Sequence, residues 1–269
     1  MKLAAAAAFL LAFAQAGAET PPRSEFSVLG TKVSGLRAGA TPGTVSVSSD
    51  HKHVVYFRKS TDGRKYSLVH DDEEGEQFDG LGEMVPLFSP DSKRVAFVGI
   101  RREQSFVVVD GKTGQGYDAV GGITFSPDSR RVAFMASRGD EHFVVLDGIQ
   151  QPLRFDGLQG DGPLFSPDSS RLGYIGRRGS DWMVVVDGKT GKEYEGAGAF
   201  TFGPDSKHWA CYAKRGEKGL LLFDGIESMQ CDAFVRDTRL IFTSPYTVEV
   251  LAYRSRQIVH VSVSKLLNN

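Results

Sequence analysis

Residues 88–97 read FSPDSKRVAF, and nearly the same ten-residue phrase recurs as FSPDSRRVAF from Phe125, FSPDSSRLGY from Phe165 and FGPDSKHWAC from Phe202. Weaker copies begin at Val47 (VSSDHKHVVY) and at Phe242 (FTSPYTVEVLAY). The six starting points are 41, 37, 40, 37 and 40 residues apart. A fixed period of about 40 residues is typical of a repeat architecture, in which every unit solves the same packing problem. The sequence therefore divides into six units.

Each unit predicts a four-stranded antiparallel sheet. A short apolar strand runs into Ser-Pro-Asp-Ser, where Pro has a preset φ and Asp or Ser can bond nearby amides, so a tight turn follows. A second strand leads through a loop rich in Arg and Gly to a third strand, which ends in Asp-Gly, a strong hairpin signal. Four strands in about 40 residues is the spacing of a propeller blade. We therefore predict an all-β protein, a six-bladed β-propeller of four-stranded antiparallel blades.

Two columns of large side chains are predicted to fill the space between blades, because a four-stranded sheet cannot bury both of its faces alone. The first column opens each phrase and contains Val47, Phe88, Phe125, Phe165, Phe202 and Phe242. The second column lies on the second strands and contains Tyr56, Phe97, Phe134, Tyr174, Cys211 and Tyr253. Burial of one such side chain contributes roughly 1.5–3 kcal/mol.

The last unit has room for only three strands, near residues 238–243, 247–254 and 257–263. Val33-Ser34-Gly35-Leu36 imitates the fourth-strand ending Phe155-Asp156-Gly157-Leu158. We therefore expect residues 25–34 to supply the missing strand, so that the propeller is closed by an N-terminal strand in the last blade and leaves no open edge.

The phrases FSPDSKRVAF and VVVDGKTGQGYD (residues 107–118) resemble the TolB-like, or WD40-like, β-propeller repeats of exported bacterial proteins. The resemblance covers roughly residues 44–263. It implies a protein-interaction platform of the cell envelope, although some members of the family accompany peptidase or other catalytic domains. The sequence shows neither the N-terminal α/β domain of TolB nor a Trp-Asp repeat ending, so we expect a shared fold with different partners.

The N-terminal segment has the features of a secretory signal peptide. Lys2 precedes an apolar run from Leu3 to Ala14, and Ala16-Gly17-Ala18 offers a small-residue cleavage site. The run is shorter than the ~20 apolar residues that span a bilayer, and no later stretch is long enough. We expect a signal peptide over residues 1–18, a linker over 19–24 and one propeller domain over 25–269. The mature protein is then a monomer in the periplasm or secreted, with no transmembrane segment.

Several functions are disfavoured by composition and motifs. The formal net charge is -1, which gives no basic excess for nucleic acid. The GKTG turns at 111–114 and 188–191 lack the preceding Gly of a phosphate loop, and no Gly-x-Ser-x-Gly nucleophile motif occurs. The carboxylates recur in nearly every blade, whereas catalytic groups are expected to break the repeat. We therefore predict no catalytic residues and no cofactor.

One cluster does break the repeat and could bind a metal ion. Blade 1 carries two histidines in its first turn and a His-Asp-Asp sequence in place of the usual Asp-Gly hairpin, and the two turns lie at the same end of a meander. Imidazoles and carboxylates there could converge on Zn²⁺ or, through the oxygens, Ca²⁺. The alternative is a solvated acidic loop. The candidate ligands are His51, His53, His70, Asp71 and Asp72.

A set of arginines is predicted to form the partner-binding face. They follow the second strands, and propeller geometry places these loops on one side of the molecule. Such a face could meet an acidic protein surface, an envelope glycan or another anionic ligand. The alternative is a solubilising rim neutralised by nearby acids. The residues are Arg58, Arg101, Arg102, Arg138, Arg177, Arg178, Arg215 and Arg254.

The two cysteines are predicted to lie on the second and fourth strands of blade 5, with one strand between Cys211 and Cys231. At about 4.8 Å per strand, their Cα atoms would be about 9–10 Å apart. That exceeds the ~7 Å limit for a disulfide, so we expect two free thiols.

The sequence thus predicts a non-enzymatic binding or scaffold propeller of the cell envelope, which mediates protein-protein interaction. Two alternatives remain open. One is a propeller enzyme of hydrolase or lactonase type, and the other is a metal-dependent ligand-binding or sensor module.

Overall fold

The structure is a computed structural model that describes residues 36–41, 43–82 and 85–265. Every regular element in these ranges is a β-strand, and the strands form six antiparallel sheets that follow one another in chain order. The protein is a six-bladed β-propeller, as the repeats predict, and we number the sheets blades 1 to 6. The expected signal peptide (1–18), linker (19–24) and closing strand (25–34) lie outside the described residues.

Blades 1 and 2 begin with short or divided strands, whereas blade 3 ends with a short one. Blade 1 contains β1 (Ser46–Val47), β2 (Val54–Lys59), β3 (Tyr66–His70) and β4 (Glu73–Phe78). Blade 2 contains β5 (Gly80–Leu81) and β6 (Leu87–Phe88), which both pair with β7 (Val95–Arg101), and then β8 (Gln104–Val109) and β9 (Lys112–Tyr117). Blade 3 contains β10 (Ala119–Phe125), β11 (Val132–Arg138), β12 (Glu141–Leu146) and β13 (Ile149–Gln150).

Blades 4 and 5 are the most regular units. Blade 4 contains β14 (Gly157–Phe165), β15 (Leu172–Arg178), β16 (Asp181–Val186) and β17 (Lys189–Tyr194). Blade 5 contains β18 (Gly196–Phe202), β19 (Trp209–Arg215), β20 (Lys218–Phe223) and β21 (Ile226–Cys231).

Blade 6 contains β22 (Ala233–Phe234), β23 (Ile241–Ser244), β24 (Thr247–Arg254) and β25 (Gln257–Ser264). Both β22 and β23 pair with the same side of β24, so together they fill the first strand position, and β25 fills the third. The predicted strands near 247–254 and 257–263 therefore form, and the one near 238–243 forms over Ile241–Ser244, while Ala233–Phe234 is a short strand that was not predicted.

The Ser-Pro-Asp-Ser phrase forms a turn that also bonds to the next blade. In blade 3 the Ser126 hydroxyl donates to Asp128 Oδ1 at 2.5 Å and accepts the Arg131 N–H at 2.9 Å. Ser129 has a positive φ of 65° and is buried. Its hydroxyl accepts the N–H of Asp91, from the turn of blade 2, at 3.0 Å.

The same inter-blade bond recurs along the row of turns. Each second Ser of a phrase accepts an N–H from the preceding blade, and the pairs are Asp50–Ser92 at 3.2 Å, Asp128–Ser169 at 2.9 Å and Asp168–Ser206 at 2.9 Å. The phrase therefore recurs because each copy makes a turn within one blade and a hydrogen bond to its neighbour.

The predicted columns are buried in the middle of the chain and fail at its ends. Phe125, Phe165 and Phe202 are 5–7 % exposed, and second-strand side chains such as Phe134 are 0–5 % exposed in blades 1 to 5. Val47 is 50 % exposed, so its place in the opening column is wrong. Tyr253 is also misplaced in the second column.

The physical reason at Tyr253 is strand register. Phe242 pairs with Val248, which puts Val250 and not Tyr253 at the position equivalent to Cys211. Val250 is 3 % exposed and packs on blade 5, whereas Tyr253 alternates onto the opposite face and is 40 % exposed.

Candidate functional site

The predicted basic face lies at the hairpins between second and third strands, and five of its eight arginines lie over aromatic rings. Arg177 lies over Trp182 of its own blade at 5.8 Å. Each of the other four guanidiniums lies over an aromatic residue of the preceding blade that ends or follows its fourth strand. The pairs are Arg101 over Phe78 at 4.9 Å, Arg138 over Tyr117 at 5.7 Å, Arg178 over Phe155 at 5.0 Å and Arg215 over Tyr194 at 5.3 Å. These contacts join neighbouring blades, at roughly 0.5–2 kcal/mol each.

Arginines of this face also bind acids or carbonyls. Arg58 pairs with Glu74 at 2.5 Å, and Arg215 forms a two-bonded pair with Glu227 at 2.8 and 2.9 Å. Arg177 donates to the carbonyl oxygens of Gly179 and Asp156 at 2.8 and 3.2 Å. Arg102 and Arg254 have exposed side chains. The face therefore carries exposed positive charge at Arg102 and Arg254, whereas its other arginines are engaged in contacts within the protein.

The recurring aspartates after the third strands stabilise each blade internally, by bonds to the start of its second strand. In blade 3, Asp147 Oδ1 accepts the Val132 N–H at 2.9 Å, and Oδ2 accepts the Arg131 Nε–H at 3.0 Å. Asp110 and Asp187 make the same two bonds in blades 2 and 4. These carboxylates close hairpins, as the symmetry argument predicts.

A cleft of about 360 Å³ lies between blades 5 and 6, and sequence reasoning missed it. Gly196, Gly198 and Gly219 line its blade 5 side. Tyr212 and Phe234 stack there with ring centroids 3.9 Å apart and planes 19° from parallel. This volume and the mainly apolar lining fall within the range of ligand pockets.

Charged groups surround the mouth of this cleft. Lys214, Glu217, Lys218 and Asp232 line it, and Lys218 Nζ lies 2.9 Å from Asp232 Oδ1. The hydrogen bond from Lys218 lowers the pKa of Asp232. Burial raises the pKa of Tyr212 to about 12, so its phenol stays protonated at neutral pH. The cleft therefore combines a stacked aromatic pair with a rim that can make ion pairs.

Small residues at this junction explain the cleft. At the four preceding junctions an aromatic residue ends or follows the fourth strand, but the fourth strand of blade 5 ends with Cys231. Gly219 faces Cys231 and Phe234, and a Cβ there would lie 3.0 Å from the Cys231 Sγ. Two features of the sequence could have indicated the site: the cysteine in the aromatic series, and the run Gly196-Ala197-Gly198-Ala199.

The predicted histidine cluster forms in part. His53, His70 and Asp71 bring one ligand atom each to within 4.8 Å of one another. His53 Nδ1 is hydrogen-bonded to Asp71 Oδ2, and His70 Nε2 lies 3.6 Å from the same oxygen. His51 is exposed and does not belong to this group of three, and the Asp72 carbonyl accepts a bond from Arg37. Two of the five predicted ligands therefore lie outside the group.

Asp71 remains ionised in this setting. Burial alone would raise its pKa, but the hydrogen bonds from His53 and from the Val54 N–H, the latter at 2.9 Å, outweigh burial, and the pKa is lowered. A carboxylate next to two imidazoles is therefore available at neutral pH.

The GKTG segments and the cysteines lie where the sequence places them. Gly111 and Gly188 have φ of 73° and 74° in the hairpins between third and fourth strands. Cys211 lies on β19 and Cys231 on β21, with β20 between them, and both thiols are free and buried. Burial raises the pKa of Cys211 to about 12. Neither thiol is therefore a nucleophile at neutral pH.

Comparison with solved structures finds other β-propellers, as the resemblance of the repeats predicts. TolB from Acinetobacter baumannii is 18% identical, with a TM-score of 0.36, and the match covers 67% of this chain and 51% of that one. The chain therefore spans about half the length of that TolB. The β-propeller domain of the Trilobed protease from Pyrococcus furiosus is 14% identical, with 81% of each chain covered and a TM-score of 0.42.

The matches also include an enzyme structure, "Oligogalacturonate lyase in complex with manganese", at 13% identity, with 87% of this chain and 79% of that one covered and a TM-score of 0.41. No protein-family model and no curated protein matches the chain. Across residues 36–41, 43–82 and 85–265, no helix is long and apolar enough to cross a membrane.

Proposed function

We propose that the protein is an exported, non-enzymatic binding module of the cell envelope that recognises another protein at the cleft between blades 5 and 6. The observation that carries this proposal is the stacked Tyr212–Phe234 pair in an apolar cleft of about 360 Å³. Protein interfaces concentrate their binding energy in a few buried aromatic or apolar anchors surrounded by polar groups. The cleft offers such a pocket for one apolar side chain of a partner.

The rim defines what surrounds that anchor. Lys214 and Lys218 flank the cleft on one side, and Glu217 and Asp232 supply opposite charge beside them. The exposed Arg254 is the last residue of β24, the strand that pairs with β22 at the cleft. A segment with an apolar side chain between charged residues of both signs would complement this surface. The glycan or anionic ligand expected from the basic loops would engage the arginines without needing the apolar pocket.

Filling the cleft tests the proposal. A Cβ at Gly196 would contact only the Lys214 side chain, at 3.4 Å, so Gly196→Leu places its side chain in the cleft without meeting backbone. Gly80→Leu is the matched control. Gly80 occupies the same repeat position in blade 2, paired with Ile100 as Gly196 is paired with Lys214.

The experiment immobilises wild type, Gly196→Leu and Gly80→Leu and quantifies the envelope proteins that each retains. We expect at least one protein that wild type and Gly80→Leu retain and Gly196→Leu loses. Purified, that protein should bind Gly196→Leu about tenfold or more weakly, a loss of ~1.4 kcal/mol. Equal retention by all three forms would refute the cleft as the site. Turnover of a lactone or glycan that Gly196→Leu leaves unchanged would favour the enzyme alternative.

A further inference from the structure

Blade 1 contains a second site, which does not depend on the proposed function. The pair His53–Asp71 occupies the place of the Arg–Asp pairs in blades 2 to 4, where Arg94, for example, bonds to Asp110 at 2.8 Å. Blade 5 uses the same histidine form, with His208 Nδ1 at 2.6 Å from Asp224 Oδ2. The His53–Asp71 pair alone is therefore a variant of a structural bond.

His70 is the residue that departs from the repeat. The residue before this aspartate is apolar in the other blades with the same hairpin: Val109, Leu146, Val186 and Phe223. In blade 1 an imidazole takes the place, and its ring lies 5.9 Å from that of His53 and 5.9 Å from that of Phe88.

One nitrogen of His70 is left without a hydrogen bond. Nε2 is buried and, among the described residues, has no hydrogen-bond partner, although it lies 3.6 Å from Asp71 Oδ2. A buried polar atom of this kind costs free energy unless something binds it. A metal ion between His70 Nε2, Asp71 Oδ2 and His53 would use that lone pair.

The donor set selects the class of ion. Two imidazole nitrogens and one carboxylate oxygen suit Zn²⁺ and neighbouring divalent transition metals, whereas Mg²⁺ and Ca²⁺ prefer oxygen ligands. Asp71 can supply Oδ2 without losing its structural role, because Oδ1 is the atom that accepts the Val54 N–H. His70 also lines a cavity of about 290 Å³ with Glu73 and Glu74, so a fourth ligand has access.

We propose that His53, His70 and Asp71 form a binding site for Zn²⁺ or a similar divalent transition metal ion. The site has three protein ligands, which leaves a coordination position for water or for a side chain of a partner. Its formation replaces the His53–Asp71 hydrogen bond with two bonds to the ion.

The test uses full-length mature protein without an affinity tag, stripped with chelator and titrated calorimetrically with ZnCl₂. We expect one equivalent to bind and the melting temperature to rise, with no such effect of MgCl₂ or CaCl₂. Co²⁺ should give the d–d absorption bands of a site with nitrogen ligands. His70→Val, which installs the residue found in blades 2 and 4, should abolish both signals and still fold.

Two control variants make the result specific. His51→Asn removes an exposed histidine two residues from His53, and His208→Arg restores the Arg–Asp pair in blade 5, so both should bind Zn²⁺ as wild type does. Absence of Zn²⁺ binding by wild type, or equal binding by folded His70→Val, would overturn the proposal.

Discussion

The junction between blades 3 and 4 and the junction between blades 5 and 6 are built from the same repeat but are held differently. At the first, the Asp128 N–H bonds to Ser169, Arg131 lies 5.7 Å from the Phe165 ring centroid, and Arg178 stacks on Phe155. At the second, the turn of blade 6 reads Thr243-Ser244-Pro245-Tyr246 and has no Ser at the bonding position.

A different set of contacts joins blade 6 to blade 5. Lys265 Nζ lies 2.9 Å from Asp224 Oδ2 and 6.0 Å from the Phe223 ring centroid. The apolar contact is retained, because Val248 and Val250 are buried against blade 5. Apolar packing therefore continues to the end of the repeat, whereas the bonds from turn amides to the serine of the next blade end with Asp168–Ser206, between blades 4 and 5, and the cleft opens at the following junction.

The outer face of blade 6 shows the same difference. In blades 1, 2 and 4 the residues equivalent to Leu251 are Phe57, Val98 and Ile175, and all three are buried against the following blade. In blade 6, Leu251 and Tyr253 are each 40 % exposed. Position in the series, and not residue type, decides whether this face is covered.

The largest contrast is expected between two aromatics of the same predicted column. Phe134 is 5 % exposed and packs between blades 2 and 3, so Phe134→Ala should cost about 3–5 kcal/mol. Tyr253→Ala removes a ring that is 40 % exposed and should change stability by no more than about 0.5–1 kcal/mol. Denaturant unfolding of both variants measures this, and similar losses would show that the face of blade 6 is buried.

A smaller contrast is expected between two turn serines. Ser169→Ala removes the acceptor of the Asp128 N–H at a 5 % exposed position, and a loss of about 1–2 kcal/mol should follow. Ser244→Ala removes an exposed bond to the Tyr246 N–H at 3.2 Å and should be nearly neutral. If Ser169→Ala is also neutral, the inter-blade bond does not stabilise the fold.

The smallest expected effect is the loss of stability at acidic pH. The Ser166 hydroxyl and the Ser170 N–H and hydroxyl lower the pKa of Asp168 from 3.8 to about 2. Because the pKa is lower in the folded state, the stabilisation is complete above about pH 4 and is lost as the pH falls through 2. Ser166→Ala should raise the pKa of Asp168 towards its ordinary value in an NMR titration. An unchanged pKa would show that the Ser166 hydroxyl does not lower the pKa of Asp168.

Much of the fold could be predicted from the sequence because each blade repeats the same turns and the same spacing of strands. The Ser-Pro-Asp-Ser turns and Asp-Gly hairpins set strand order, and Phe125, Phe165 and Phe202 are buried as their period requires. The two errors, at Val47 and Tyr253, fall in the terminal blades. There the phrase is altered, and no further copy fixes the register.

The candidate sites were less predictable. The cleft depends on what is missing at one junction, a large side chain opposite Gly219, and such a gap appears only when two blades are placed together. The departure of blade 1 from the repeat identified the histidine cluster, but only the fold shows that His70 belongs to the group of three and His51 does not. The sequence predicts the arginines as a partner-binding face, whereas their stacking on Phe78, Tyr117, Phe155 and Tyr194 requires knowledge of which strands are adjacent.

Amide hydrogen exchange tests most directly the claim that the turn serines link blades 1 to 5 and that this series of bonds stops before blade 6. The informative comparison is between second strands, β11 (Val132–Arg138) in blade 3 and β24 (Thr247–Arg254) in blade 6. We expect β24 to exchange markedly faster than β11 under native conditions. Equal or greater protection of β24 would contradict it.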